Sequence, residues 1–176
     1  MSTEKTFLES YLKRAGYYKL LGEQTFAQLT DADLHYSPSE ESNSIAVIVQ
    51  HLVGNMLSRF THFLTEDGEK EWRNRDAEFE EQQWNKEQLL EKWNEGWECY
   101  FTAVKTITEE DLIKTITIRS ESLKVVDALN RQLAHYPYHI GQIVFLGRMI
   151  KGKEWNSLSI PIGQSQQFNQ QMNHLK

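Results

Sequence analysis

Two histidines four residues apart are the first side chains in this sequence whose types and spacing could do chemistry. His135 and His139 lie in "RQLAHYPYHIGQIVFLGRM", residues 131–149, where apolar residues recur at helical spacing. Residues i and i+4 of a helix project from the same strip, so both imidazoles are expected to point in one direction. Neutral imidazole nitrogens are ligands for divalent metals such as zinc. The pair is therefore a candidate for part of a metal site.

The pair alone does not require a metal, because this spacing arises often by chance and each ring could simply hydrogen-bond inside a helical core. A zinc-type site needs at least one more ligand, usually from another element. His51, in "IVQHLVGNMLSRF", is the best third candidate. The helical wheel groups it with Asn55 and Ser58. That grouping fits either a solvated polar face or a polar strip lining a cavity between helices, and periodicity leaves both open.

The other histidines are expected to lie outside such a site. His62 shares the strip of the third candidate, but it lies about 16 Å further along a helix that rises ~1.5 Å per residue. His35 falls in a polar connector and His174 in the C-terminal tail, so surface positions are expected for both.

A proline interrupts the helical segment between the paired histidines. Pro137 removes a backbone hydrogen bond to the carbonyl of Leu133 and bends a helix at a cost of about 3 kcal/mol. The wheel places it opposite the histidines, on an outward side where water can satisfy the freed carbonyl. The bend is expected to change how the two imidazoles are aimed.

Several polar residues near these histidines are candidates to contact a substrate or to orient a ligand. Asn55 and Gln142 could do either, or be ordinary polar residues of a helical bundle. Arg59 could hold a substrate carboxylate, although pairing with a neighbouring acid is the stronger expectation. Arg73 and Arg75, in the charged loop 65–82, could bind an anionic ligand, but the surrounding acids favour internal ion pairs. No second ionisable group is clearly placed for acid–base catalysis.

Four amphipathic segments must position these side chains. Apolar residues at helical spacing predict helices from Thr6 to about Leu29, from a cap at Asn43 or Ser44 onwards, from Asn85 to Thr106, and from Val126 to Lys151. "KTITIRSESLKVV" alternates apolar and polar residues, which predicts a short hairpin or an extended connector. Residues 152–176 are expected to form an irregular tail. The predicted fold is all-α, a single-domain four-helix bundle with long connectors over residues 1–176.

The composition excludes several classes of function. With 39% hydrophobic and 25% charged residues in a chain of 176, one globular domain is expected. The net charge of -6 repels a phosphate backbone and no local basic patch is visible, so no nucleic-acid partner is expected.

The expected location is the cytoplasm. Cys99 is the sole cysteine, "MSTEKTFLES" has no secretory signal, and no stretch approaches the ~20 apolar residues that span a bilayer. No membrane contact is therefore expected. The aromatic third helix and the tail offer apolar surface, which favours a homodimer.

A single histidine in the second helix followed much later by "HYPYHIGQI" resembles the DinB/YfiT-like proteins. "NSIAVIVQHLVGNMLSRF" and "DGEKEWRNRDAEFE" are similar to an uncharacterised bacillar subgroup of that family. The resemblance covers most of the chain, and its His…HxxxHxGQ pattern is moderately specific because it sets ligand type, helix position and order.

The resemblance implies a four-helix bundle that holds a divalent metal, zinc or nickel, with His51, His135 and His139 as ligands. It also implies a homodimer and a metal-dependent transferase that acts on a small-molecule substrate with a low-molecular-weight thiol as co-substrate. A hydrolase-like reaction, and a non-catalytic metal-binding or stress-related interaction protein, remain the alternatives.

Overall fold

Helices form most of the structure, a computed structural model that describes residues 2–174 and the side chains of residues 2–171. The helices are α1 (Thr3–Ala27), α2 (Asp31–Leu34), α3 (Ile45–Phe60), α4 (Lys86–Lys105), α5 (Val125–Lys151) and α6 (Ser165–His174). Two antiparallel strands, β1 (Thr115–Ile118) and β2 (Glu121–Lys124), precede α5. Short 3-10 turns occur at Asp76–Phe79, Glu110–Ile113 and Gly152–Glu154. The mainly helical fold and the hairpin agree with the sequence-based prediction.

Side-chain caps explain where the long helices begin. The hydroxyl of Ser44 accepts a hydrogen bond from the backbone N–H of Val47, so Ser44 is the cap of α3. Asn85 and Gln88 form a capping box at the start of α4, each side chain accepting from the other residue's backbone N–H. Such caps satisfy N–H groups that have no partner in the first helical turn.

The core lies between α1, α3, α4 and α5 and is rich in aromatic side chains. Trp93, Trp97 and Tyr100 of α4 are at most 1% exposed. Trp93 meets Phe26 of α1 edge-to-face at 5.0 Å between ring centroids, a favoured aromatic geometry. At Gly96 a Cβ would lie 3.2 Å from the Cα of Val53, so the absent side chain lets α3 and α4 approach closely.

The hairpin is bound to the charged loop that follows α3. The backbone N–H of Gly68 donates to the carbonyl of Thr117 at 2.9 Å. The carboxylate of Asp67 accepts from the backbone N–H groups of Arg119 and Ser120, each at 2.8 Å. Both of these turn residues have positive φ, 55° and 62°. The loop and the hairpin therefore form one surface beside the end of α3.

Two expectations about the last part of the chain are corrected. Residues Ser165–His174 form α6, so the tail is not irregular throughout. Pro137 lies within α5, half-buried beside Ala15 and Tyr18 of α1, so it does not face outward to water. The wheel misplaced it because α1 covers the side of α5 opposite the histidines. No helix among the described residues has the length and apolar character needed to cross a membrane.

Candidate metal centre

Three histidines from two helices meet at one point. His51 is in the middle of α3, and His135 and His139 are one turn apart on α5. Nε2 of His135 lies 3.3 Å from Nε2 of His51 and 3.1 Å from Nε2 of His139. One ligand atom from each of the three residues lies within 4.8 Å of the others, so the group could hold a metal ion. His51 is 5% exposed, which excludes the solvated-face interpretation.

Hydrogen bonds at the opposite ring nitrogens orient two of these imidazoles. Nδ1 of His51 lies 2.9 Å from Oε2 of Glu78, and Nδ1 of His139 lies 2.8 Å from Oε1 of Gln142. Both partners are acceptors, so each Nδ1 carries the proton and each Nε2 is left with its lone pair. This arrangement, in which the second ring nitrogen donates to a neighbouring acceptor, is usual for metal-binding histidines.

The spacing of the Nε2 atoms fits a small divalent ion. Ligand nitrogens ~2.0–2.1 Å from a tetrahedral zinc are about 3.3 Å apart. The two shorter Nε2–Nε2 distances, 3.1 and 3.3 Å, are close to that separation. Three protein ligands leave at least one coordination position for water or substrate, as in catalytic rather than structural sites.

Burial favours the neutral form of two of the rings, those of His135 and His139. Burial is the main cause that lowers the pKa of His135 to about 3, and the nearby rings of His139 and His51 lower it further. Burial also lowers the pKa of His139, against the opposing effect of its hydrogen bond to Gln142. Neutral imidazole is the form that binds metals, so these two residues are ready to act as ligands near neutral pH.

Glu78 contacts a candidate ligand, and the sequence analysis did not single it out. It is 6% exposed, and Nε and Nη2 of Arg73 donate to its two oxygens at 2.6 and 2.9 Å. Burial raises the pKa of Glu78, but the hydrogen bonds from His51 and Arg73 outweigh it, so the pKa lies below its ordinary value. Arg73 therefore has the internal ion pair that the sequence favoured, and it stabilises the carboxylate that orients a candidate ligand.

Two further residues shape this contact. A Cβ at Gly54 would lie 2.3 Å from Oε1 of Glu78, so α3 admits the carboxylate only because this position has no side chain. The ring of Phe79 stacks on His51, with 5.1 Å between ring centroids and 28° between ring planes, and so covers one face of this imidazole. In the sequence, Gly54 is an isolated glycine within a helical pattern, which can indicate a packing reason for the absent side chain. Nothing in the loop sequence singled out Glu78.

The three predicted substrate or orienting residues lie near the histidines but differ in what they do. Asn55 is 6% exposed and accepts a hydrogen bond from the hydroxyl of Tyr136 at 3.2 Å. Arg59 is 3% exposed and donates to Glu69 at 2.9 Å and to the carbonyl of Gly68, so it is paired as expected but buried rather than solvated. Gln142 contacts His139 and is the one that orients a ligand.

A cavity of about 550 Å³ opens beside the histidines. Its wall includes five arginines from four segments: Arg59, Arg73, Arg75, Arg119 and Arg131. The expectation that the chain has no basic patch is therefore wrong. The residues are dispersed along an acidic sequence, and the contact between the charged loop and the hairpin brings them together.

Two of the three histidines expected outside the site, His62 and His35, lie outside it. His62 follows the end of α3 with a φ of 52° and is exposed. The ring nitrogens of His35 contact Glu81 and, at 2.7 Å, the carbonyl of Trp84. The side chain of His174 is not among those described, so that expectation lies outside the described residues.

Comparison with known proteins identifies a family but not a reaction. No curated protein and no solved structure matches the chain. A family described as "Protein of unknown function (DUF1572)" matches residues 2–164, which include all three histidines and both strands and end just before α6. The match covers far more than half of the sequence, and the chain belongs to the DUF1572 family.

Proposed function

We propose that the protein binds a divalent metal ion through His51, His135 and His139 and uses it in catalysis. One observation carries the proposal: three Nε2 atoms from two separate helices lie close together, and the Nδ1 atoms of two rings are held by Glu78 and Gln142. Histidines that merely pack in a core have no reason to share a direction. Imidazole ligands favour zinc or nickel among the common candidates.

We further propose that the four long helices are a four-helix bundle of the DinB/YfiT-like kind, and that the reaction is transfer of a low-molecular-weight thiol to an electrophile. The order of ligands along the chain, with one histidine on α3 and two on α5, supports this. When bound, the metal would lower the pKa of a thiol, or of water in the hydrolase-like alternative. In such a transfer sulfur bonds to the electrophilic carbon, the leaving group departs with its electron pair, and the thiol proton passes to solvent.

The protein's own residues supply orientation and shelter. Glu78 and Gln142 hold the imidazoles in the ligating tautomer, and Phe79 shields the His51 ring. Asn55 and Tyr138 line the cavity next to the histidines, where polar atoms can position a substrate. This division between fixed ligands and a roomy polar cavity favours a small-molecule substrate.

Elemental analysis of untagged protein tests the metal site before any substrate is chosen. Wild-type protein is expected to retain about one zinc or nickel per chain after purification, and His139→Ala is expected to lose it. His62→Asn is the matched control, since it removes a histidine outside the site, and it is expected to keep the metal. Wild-type protein that purifies without metal and does not take up added zinc would contradict the proposal.

The reaction is tested with metal-loaded protein, low-molecular-weight thiols including cysteine and coenzyme A, and the electrophile monochlorobimane, which loses chloride as its fluorescent thioether forms. A rate above that of the triple variant His51→Ala, His135→Ala, His139→Ala supports transfer. The alternative is a non-catalytic metal-binding or stress-related interaction protein, favoured by the lack of any carboxylate among the described residues lining the cavity. Stoichiometric metal without turnover would support it.

A homodimer is proposed on the apolar side chains that α5 leaves exposed. Phe145 is 68% exposed and Met149 43%, and the two lie four residues apart on one face of the helix. Burial of such side chains against a second copy would remove apolar surface from water. Size-exclusion chromatography with light scattering tests the proposal. Wild-type protein is expected to have twice the mass of the 20.7 kDa chain, and the Phe145→Glu variant is expected to have the mass of a single chain.

A further inference from the structure

The cavity beside the histidines has an unusual charge for this protein. Its described lining contains five arginines and no carboxylate, although acidic residues outnumber basic ones, 25 against 19, in the chain as a whole. Guanidinium groups present several N–H donors in a plane and bind carboxylates and phosphates in a bidentate manner. Positive groups that line a concave wall also attract an anion more strongly than the same groups on a flat surface.

Carboxylates behind the wall compensate only part of this charge. Glu69 pairs with Arg59, Arg73 and Arg119, and Glu78 pairs with Arg73. On the other side of the cavity, Arg131 has a looser contact with Glu121, at 3.6 Å. Three carboxylates therefore pair with four arginines, and the fifth arginine, Arg75, adds a further positive charge.

The arginines divide into a buried pair and an exposed group. The side chains of Arg59 and Arg73 are 4% and 2% exposed, and their acids hold them in place. Nη1 of Arg73 has no hydrogen-bond partner among the described residues. Arg75 is exposed, and the ring of Phe79, 5.3 Å from its guanidinium carbon, is its only ionic or aromatic partner within the described part of the chain. Arg75 and Arg131 therefore have donors available for a ligand.

We propose that this cavity binds a small molecule with a carboxylate or phosphate group, held by Arg75 and Arg131 while the rest of the molecule extends towards the three histidines. The second half of this statement rests on the proposed metal-dependent function, whereas the anion site itself does not. The stacking of Phe79 on His51 joins the two parts, because the same ring also lies under the guanidinium of Arg75. A movement of Phe79 on anion binding would therefore also change the packing of the His51 imidazole.

A small anion fits this site better than a polymer. The volume of about 550 Å³ is in the usual range of ligand pockets, roughly 300–1,000 Å³. The chain as a whole has a net charge of -6, so an extended nucleic acid would meet net repulsion beyond the cavity.

Isothermal titration calorimetry with succinate and with inorganic phosphate tests the site at low ionic strength, using chelator-treated protein so that no metal takes part. The double variant Arg75→Gln, Arg131→Gln is expected to weaken binding by about tenfold or more, since both guanidinium groups would lose their charge-assisted hydrogen bonds to the anion. Arg14→Gln, Arg148→Gln is the matched control. It removes the same charge from exposed positions outside the cavity, so its affinity is expected to stay within about twofold of wild type. The tighter of the two anions identifies the chemical group.

Equal affinities in the two double variants, or no binding of either anion to wild-type protein, would overturn the inference. Metal content measured on the same preparations before chelation separates it from the proposed function. If the protein holds no metal and the cavity variant loses anion binding, the anion site is supported and the metal proposal is contradicted. A metal-containing protein whose wild type binds neither anion gives the opposite result. Binding a single-stranded oligonucleotide more tightly than both small anions would also overturn it.

Discussion

Oε2 of Glu78 lies 2.9 Å from Nδ1 of His51, and both side chains are buried. The carboxylate is kept ionised by Arg73, so it accepts a charge-assisted hydrogen bond and fixes the tautomer that presents Nε2 to the other two histidines. A 3-10 turn in a charged loop therefore decides how a residue on α3 is aimed.

Replacing Glu78 by glutamine is expected to lower zinc affinity by about 10- to 100-fold, because loss of the charged acceptor weakens the imidazole as a ligand. Competition against a chromogenic chelator measures the change. Glu80→Gln is the control, since it alters an exposed acid two residues away in the same loop, and it is expected to match wild type. Equal affinity in Glu78→Gln and wild type would show that the contact does not tune the ligand.

Gly54→Ala is expected to displace the same carboxylate. The added Cβ would lie 2.3 Å from Oε1 and 2.7 Å from Cδ of Glu78, too close for either to remain in place. The free energy of unfolding of metal-free protein should fall by roughly 1–3 kcal/mol, as in other overpacked sites. Zinc affinity should fall as well. Urea titration and chelator competition measure the two effects.

Gly141→Ala provides the matched comparison for that substitution. Gly141 is an exposed position within α5, and a Cβ there meets nothing within 4 Å. This variant should be as stable as wild type or more stable, by up to about 1 kcal/mol, because alanine favours helix. If both alanine variants behave alike, the close approach of Glu78 to α3 is not what Gly54 permits.

His35 predicts a dependence of stability on pH that is separate from the metal. Burial lowers its pKa, but contacts with Glu81 and the carbonyl of Trp84 outweigh this and the pKa lies above the ordinary 6.5. A folded-state pKa above the unfolded value adds stability that is complete below about 6.5 and is lost as pH rises through the folded-state pKa. The contact should therefore stabilise the protein in mild acid and not in mild base.

Urea unfolding of wild type and His35→Gln in chelator measures this effect. The difference in free energy of unfolding should be roughly 0.5–1 kcal/mol larger at pH 5.5 than at pH 8.5, since a pair this exposed is screened by solvent. A difference that grows with pH would have the opposite sign and would contradict a stabilising role for the contacts of His35 with Glu81 and Trp84.

Helical geometry allowed His135 and His139 to be predicted from the sequence as a pair, whereas periodicity left the role of His51 open. A spacing of four residues requires His135 and His139 to share a strip, and the ends predicted for the helix that carries them lie within one residue of those of α5. The alternation in "KTITIRSESLKVV" likewise predicted the strands. These features depend on local periodicity, which one segment can express without its neighbours.

The part of the surroundings that the charged loop supplies was not predicted beyond the ion pair of Arg73, because this loop has no periodicity. Glu78, Phe79 and Arg75 lie in or next to a single 3-10 turn, and only its packing against α3 gives each a role. The arginines of the cavity wall were not predicted to lie together, because they are far apart in sequence and only the fold brings them close. Pro137 was placed outward because a wheel of one helix cannot show that α1 covers that side.

Gln142 allows the orienting role to be tested in both directions. Its Oε1 lies 2.8 Å from Nδ1 of His139 and accepts that proton as a neutral group. Gln142→Ala should lower zinc affinity, whereas Gln142→Glu should hold or raise it, because a carboxylate makes the opposite nitrogen a stronger donor to the metal. Gln142→Asp carries the same charge on a side chain one methylene shorter and should behave as alanine does. If Asp and Glu raise affinity equally, general attraction of the cation explains the effect, and Gln142 does not act through His139.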